Sequence, residues 1–234
     1  MKKKRVLLKL SGEVLGGPDG IGADAKALLQ GADELKSFVK QGIQVAIVVG
    51  GGNFWRYRDN KKLTIPQATS DAVGMMATVM NARLLTEVLN QKGVKAMALS
   101  AHGEGYFALG YSPDLGKKIL NEGAVLVCAG GTGNPYFTTD TAAALRALEL
   151  DCELLLKGTK VDGVYDSDPV KNKKAKFFSK LSYDEVLRRE LGVMDLTATQ
   201  LCKDNKLPVR VFNGQIAGNA LKAAQGKNIG TLIS

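Results

Sequence analysis

Residues 42–56 read GIQVAIVVGGGNFWR, an apolar run that passes directly into three glycines. From Ile43 to Val49 every residue except Gln44 is apolar. Such a run, rich in β-branched side chains, fits a strand covered on both faces, as in a parallel sheet. Gly50, Gly51 and Gly52 then form a turn without side chains, where backbone N–H groups can approach an anion closely. The same grammar recurs outward along the chain. Arg5–Leu10 leads into KLSGE at Lys9–Glu13, Ala124–Cys128 into AGGTGNPYFTTD at Ala129–Asp140, and Glu153–Leu156 into KGTKVDGVYDSDP at Lys157–Pro169. Val94–Leu99 and Val209–Phe212 are two further strand candidates.

Between these strands the apolar period lengthens to that of a helix. Ala25, Leu28, Leu29, Ala32, Leu35, Phe38 and Val39 recur at steps of three and four, and Gly42 ends that helix. A longer helix is predicted from Asp71 to Gln91, with Val73, Met76, Ala77, Met80, Leu84 and Val88 expected as its core face. Ser182 followed by Glu185 fits a capping box opening another helix. Strands alternating with helices predict an α/β fold with a mainly parallel sheet. No Pro/Gly/Ser-rich linker divides the 234 residues, so a single domain is expected.

The formal net charge of +9 points to an anionic partner without naming one. Much of the excess is local, in Lys2, Lys3, Lys4 and Arg5 and in the run Lys171, Lys173, Lys174 and Lys176, where solvated surface is the simplest reading. Aromatics make up only 6% and do not interleave with the basic residues, which disfavours nucleic-acid binding by base stacking. Three distant cysteines, two of them in apolar runs, fit a reduced, cytoplasmic protein. Lys9 and Glu13 interrupt what would otherwise be a short secretory apolar region. No uninterrupted apolar stretch approaches the ~20 residues of a membrane span, and no membrane partner is expected.

In an open parallel sheet, turns at the carboxyl ends of the strands line one ligand crevice, so four glycine turns converge there. The chain has no GxxxxGK[ST] loop and no GxGxxG opening its first strand–helix unit. Its single histidine, His102, sits in the polar stretch AHGEGY and reads most simply as a loop residue. Cys and His lack metal-ligand spacing, and no dedicated metal site is expected. What remains, lysines and carboxylates beside glycine turns, is the equipment of phosphoryl transfer, where catalysis is largely positioning and charge neutralisation.

In their order these segments resemble the amino-acid-kinase superfamily and, within it, the bacterial-type uridylate kinases. The match runs from LLKLSGE through GGGNFWR, GTGNPYFTTDTAA, KGTKVDGVYDSDP and LGVMDLTA to NKLPVRVFN and GTLIS. GTGNPYFTTD is the most specific block, since sister kinases carry other acceptor loops there. The resemblance implies one three-layer αβα sandwich over residues 1–234, its N-terminal half mainly on the UMP side and its C-terminal half mainly on the ATP side. It implies ATP-dependent phosphorylation of UMP to UDP, in pyrimidine nucleotide biosynthesis. Mg²⁺ would ride on the ATP phosphates.

The resemblance also implies roles. Lys9 reaches the transferring phosphoryl group, Leu10, Ser11 and Gly12 cradle phosphates, and Lys157 is a second lysine on the donor phosphates. Asp140 orients both lysines. Gly51 approaches the acceptor phosphate, and Gly52 and Arg56 the donor side, where a forked guanidinium suits phosphate. Asp71, at the expected helix start, binds the acceptor ribose, although a capping carboxylate is the plainer reading. Thr132, Gly133, Asn134, Pro135, Tyr136, Phe137, Thr138 and Thr139 form the UMP loop. Thr159, Tyr165 and Asp168 match the adenosine segment.

Two departures from the resemblance stand out. His102–Tyr111 reads HGEGYFALGY where a proline is usual after LSA, and Gly158 replaces a common alanine. The first lies where relatives build inter-subunit and effector contacts. A homohexamer is implied by analogy, and Gly16–Gly22 resembles a segment linked to GTP activation, with UTP as another possible effector. Two alternatives stay open: a sister kinase for a carboxylate or carbamate acceptor, and a non-enzymatic regulator binding nucleotide or nucleic acid.

Overall fold

The computed structural model describes residues 4–56 and 64–234, so Lys2 and Lys3 of the basic opening lie outside the described residues. In chain order the elements are β1 (Arg5–Leu10), α1 (Gly12–Leu15), α2 (Ala25–Lys40), β2 (Gln44–Val49), α3 (Gln67–Gln91), β3 (Ala96–Ser100), β4 (Leu109–Gly110), α4 (Pro113–Asn121), β5 (Val125–Ala129) and α5 (Thr139–Glu149). The second half comprises β6 (Leu154–Thr159), β7 (Val164–Tyr165), β8 (Phe177–Phe178), β9 (Lys180–Leu181), α6 (Tyr183–Arg188), α7 (Leu196–Asp204), β10 (Val209–Asn213), α8 (Asn219–Ala224) and β11 (Thr231–Ile233).

Among the described residues nine strands form one sheet in the order β4-β3-β5-β2-β1-β6-β10-β11-β9. Its pairs are parallel except β10–β11. The hairpin β7–β8 stands apart. The six expected strands form the sheet's centre, Arg5–Leu10 with both ends as expected and the others with ends shifted by at most three residues. The short β4, β9 and β11 were not legible, since two or three residues carry no period of their own.

Alternation along the strands divides the core in two. Val6, Leu8, Val45, Ile47 and Val127 pack on the side of α2, α3 and α8. Leu7, Ala46, Val48, Leu126 and Leu155 pack on the side of α4 to α7. The result is the three-layer αβα arrangement. Both faces of the central strands are covered, which is why their sequences are apolar nearly throughout.

The long helix departs from expectation in two respects. It begins at Gln67 behind Pro66, one turn before Asp71, so Asp71 lies inside the helix and is not its cap. Its buried face also differs. Val73, Met76, Met80 and Leu84 are exposed, Met76 at 65% and Met80 at 51%, while Val79, Ala82, Leu85 and Leu89 enter the core. Of the expected stripe only Ala77 is buried, and Val88 packs partly against the core.

The physical reason is that α3 is apolar on more than one side, so its period could not choose a face. The choice falls to polar groups. Ser70, Thr78, Asn81 and Thr86 are buried, and three of them hold the molecule together around the glycine turns. Asn81 and Asn53 exchange amide hydrogen bonds of 2.7 and 2.9 Å, and Asn81 Nδ2 also donates to the Gly50 carbonyl at 2.7 Å. Thr78 Oγ1 accepts from the Gly130 N–H at 2.7 Å, and Ser70 Oγ from Trp55 Nε1 at 2.8 Å. By length and composition α3 would pass for a membrane span, contrary to the sequence expectation, but it is packed as a core helix against α2, β3 and β5.

Candidate active site

The site begins as a matter of strand register. Lys9 on β1 lies directly beside Lys157 on β6. Side chains two apart share a face, so Lys9 follows Leu7 and Lys157 follows Leu155 onto the α5 side of the sheet. Two ammonium groups are thus forced together, and Asp140, in the first turn of α5, lies between them. Its Oδ1 is 3.0 Å from Lys9 Nζ and its Oδ2 is 2.6 Å from Lys157 Nζ, all three side chains being at most 16% exposed. Lys157 also donates to the Val193 carbonyl.

Burial alone would raise the Asp140 carboxyl, but the adjacent Lys9 and Lys157 outweigh it and hold the group below the usual carboxylate range. Burial draws the Lys157 ammonium below the usual lysine range, against the pull of Asp140.

Asp140 owes its position to its neighbours. Thr138 caps α5, accepting from the Asp140 N–H at 3.0 Å, and donates its own hydroxyl to Asp195. Asp195 caps α7 through the Ala198 N–H at 2.8 Å and accepts from Thr141 Oγ1 at 3.0 Å. One carboxylate in LGVMDLTA therefore clamps α5 to α7. Sequence reading passed over Asp195, although an Asp immediately before a helical run is an N-cap signal.

The glycine turns meet as expected. A Cβ on Gly12 would lie 2.4 Å from Asn53 Oδ1 and 2.6 Å from the Gly50 carbonyl, so these turns touch only because Gly12 has no side chain. Over them opens a cavity of about 560 Å³ lined by Lys9, Ser11, Gly12, Gly51, Gly52, Arg56, Asp71, Thr132, Asn134, Phe137, Thr138 and Thr139, with Trp55 and Met75. A second cavity of about 650 Å³ shares Lys9, Ser11, Glu13 and Arg56 with the first. It extends past Leu10 and the Gly17–Gly20 segment to Gly158, Thr159, Lys160 and Gly214. At the junction Glu13 bridges Arg56 Nη2 at 2.8 Å and Lys160 Nζ at 3.2 Å, and Arg56 Nε donates to the Gly52 carbonyl at 2.7 Å.

The segment 130–138 walls the first cavity. Tyr136 adopts φ +70°, the left-handed region uncommon for a bulky residue, and its N–H donates to Asp71 Oδ2 at 2.8 Å. Gly133, Pro135 and Tyr136 shape this loop without lining the cavity.

Asp140 and Lys157 line neither cavity and connect to them through Lys9, and two further expected residues, Tyr165 and Asp168, line neither as well. Tyr165 lies on the β7–β8 hairpin, its ring edge-on to Phe177 at 5.4 Å. Asp168 accepts from the Val170 N–H at 2.9 Å and so stabilises its own turn. Thr159, by contrast, lines the second cavity, its hydroxyl donating to the Val161 carbonyl at 2.7 Å.

The model of the amino acid kinase family matches residues 4–213. The chain belongs to that family. It is 44% identical over 232 residues to the uridylate kinase of Bacteroides thetaiotaomicron, covering 99% of this chain and 98% of that protein. Its fold superposes on the UMP kinase of Bacillus anthracis with a TM-score of 0.96 at 35% identity, covering 100% of this chain and 97% of that one. For the UMP kinase of Ureaplasma parvum the TM-score is 0.94 at 36% identity, with 100% of both chains covered. The uridylate kinase of Archaeoglobus fulgidus is more distant, at 0.77 and 28% identity over 98% of this chain and 99% of that one. Membership of this family accounts for a kinase fold with two cavities that meet at Lys9, the lysine that Asp140 ties to Lys157.

The depressed carboxyl of Asp140 sets the sign of a pH effect. A group held below its unfolded value contributes stability above the ordinary carboxylate range and loses it as pH falls through the folded value. The stability advantage of the native chain over Asp140→Asn should therefore shrink as pH is lowered from about 6 to about 3, the span of carboxylate titration. Urea unfolding at each pH measures it, and an advantage constant over that range would contradict the charged triad.

Proposed function

We propose that this chain transfers the γ-phosphoryl group of ATP to UMP, giving UDP and ADP. The observation that carries this reading is the Lys9–Asp140–Lys157 triad, whose Lys9 lines both of two adjoining cavities, one of them walled by GTGNPYFTTD. UMP occupies the first cavity, with its base toward Thr132 and Asn134, its ribose toward Asp71 and its phosphate toward Gly51. ATP enters the second, over Ser11 and Thr159, and brings Mg²⁺ with it as part of the substrate. Tyr165 and Asp168 reach the adenosine only if the β7–β8 hairpin moves toward it.

The chemistry needs little from the protein beyond placement. A phosphate monoester is largely dianionic at neutral pH, its second pKa being about 6, so the acceptor oxygen attacks without a general base. The new P–O bond forms as the bond to the β–γ bridging oxygen breaks, and ADP leaves. Charge spread over the transferring group is met by Lys9, and the donor phosphates by Lys157 and Arg56. Asp140 holds both lysines, one on each carboxylate oxygen, and its single negative charge leaves the trio net positive.

A coupled assay with UMP, CMP and dUMP tests acceptor choice. UMP should exceed CMP by roughly 10²-fold or more in kcat/KM, because a site that hydrogen-bonds one polar edge leaves buried groups unpaired with another. Equal rates would sink the reading, and turnover only with a carboxylate or carbamate acceptor would favour a sister kinase. In the same assay Lys9→Ala should lower kcat by roughly 10²-fold, the scale of losing one preorganised electrostatic group, and leave the KM for UMP nearly unchanged. Asp71→Asn should instead raise the KM for UMP, the mark of lost uniform binding.

The exposed stripe Val73, Met76, Met80 and Leu84 also supports a homo-oligomer, since a contiguous apolar helix face is usually covered. Light scattering should report several subunits, and Met76→Lys with Met80→Lys should reduce the mass. A monomeric native chain at micromolar concentration would contradict this.

A further inference from the structure

His102, the chain's one histidine, lies in the stretch that departs from the family pattern, and the phosphoryl-transfer site makes no use of it. It does not stand alone in its loop. His102 Nε2 lies 2.7 Å from the carbonyl oxygen of Gly133, 31 residues away in the middle of GTGNPYFTTD. A carbonyl only accepts, so the ring must carry its proton on Nε2 and donate, in the neutral or the protonated state alike. The contact is close-packed as well. A Cβ on Gly133 would lie 3.0 Å from His102 Nε2 and 3.2 Å from Ala101 Cβ, and Gly133 has φ +84°. A side chain at position 133 would therefore be strained and would crowd the histidine.

The remaining anchors of this loop sit elsewhere. Gly130 N–H donates to Thr78 at 2.7 Å and Arg146 Nη2 to the Gly131 carbonyl at 3.2 Å, both before the turn. After it, Tyr136 N–H donates to Asp71 and Thr138 to Asp195. Between Gly131 and Tyr136 the hydrogen bonds are local, Thr132 Oγ1 accepting from the Asn134 N–H at 3.2 Å. Among the described residues, His102 supplies the long-range hydrogen bond to this middle section, which carries Thr132 and Asn134 on the cavity wall.

We infer that His102 is a positioning residue for the acceptor: by holding the Gly133 carbonyl it presents Thr132 and Asn134 to the base of UMP. This rests on the proposed acceptor reading. It assigns to the divergent segment 102–111 a place in substrate recognition, through a residue that touches the loop and not the substrate.

The test is a set of steady-state constants and UMP binding isotherms for the native chain, His102→Ala and His102→Gln, with thermal melts as a folding control. Gln can place an amide donor near the position of Nε2. His102→Ala should raise the KM and Kd for UMP by about three- to tenfold, the effect of one hydrogen bond, with kcat and the KM for ATP changed by less than about twofold. His102→Gln should return UMP affinity to within about twofold of native. Unchanged UMP affinity in His102→Ala overturns the inference. Parallel losses for UMP and ATP, or a defect that Gln does not relieve, overturn it too, by showing a merely structural role. Should the native chain not phosphorylate UMP at all, the acceptor reading fails first, which the native measurements alone reveal.

Discussion

The structure is organised around one largely buried carboxylate held between two ammonium groups. Parallel pairing of β1 and β6 puts Lys9 and Lys157 side by side on one face of the sheet. At that separation, in a partly buried setting, like charges repel by several kcal/mol unless an anion intervenes. Asp140 intervenes, one oxygen to each lysine. The arrangement adds little to stability, since desolvating three charges offsets most of their attraction. What it secures is geometry: two cations held on one carboxylate, with Lys9 at the place where the two cavities meet.

Everything that fixes Asp140 therefore bears on the site. The α5 cap at Thr138, the α7 cap at Asp195 and the bond from Lys157 to the Val193 carbonyl form a continuous chain of contacts. On the opposite side of the sheet, the Asn53–Asn81 amide pair does comparable work for the glycine turns. Both amides are almost fully buried, and each spends its hydrogen-bonding capacity on backbone or on its partner. A glycine turn has no side chain to hold it, so its shape must be imposed from a neighbouring element. Here that element is α3.

Period does not select the buried face of α3. Its apolar residues are spread around the helix, and period alone pointed to Val73, Met76, Met80 and Leu84 as core. The buried face is instead the one carrying Ser70, Thr78 and Asn81, because burying those groups satisfies the turns of β2 and β5. The apolar stripe is left outside.

The sequence by itself determined the central strands, the layer class and the four glycine turns, because those features are written in local period and composition. It also made Lys9, Asp140 and Lys157 visible as candidates, through their places beside the turns and a resemblance carried by motifs. Only the tertiary structure decided which helix face is buried, that Tyr165 and Asp168 stand apart from both cavities, and that Asn81, Asp195 and His102 belong to the site's support. Each of those decisions is a contact between residues far apart in the chain. A hydrogen bond from His102 to Gly133, or from Asn81 to Asn53, leaves no mark on local period and exists only once the sheet has brought the two ends together.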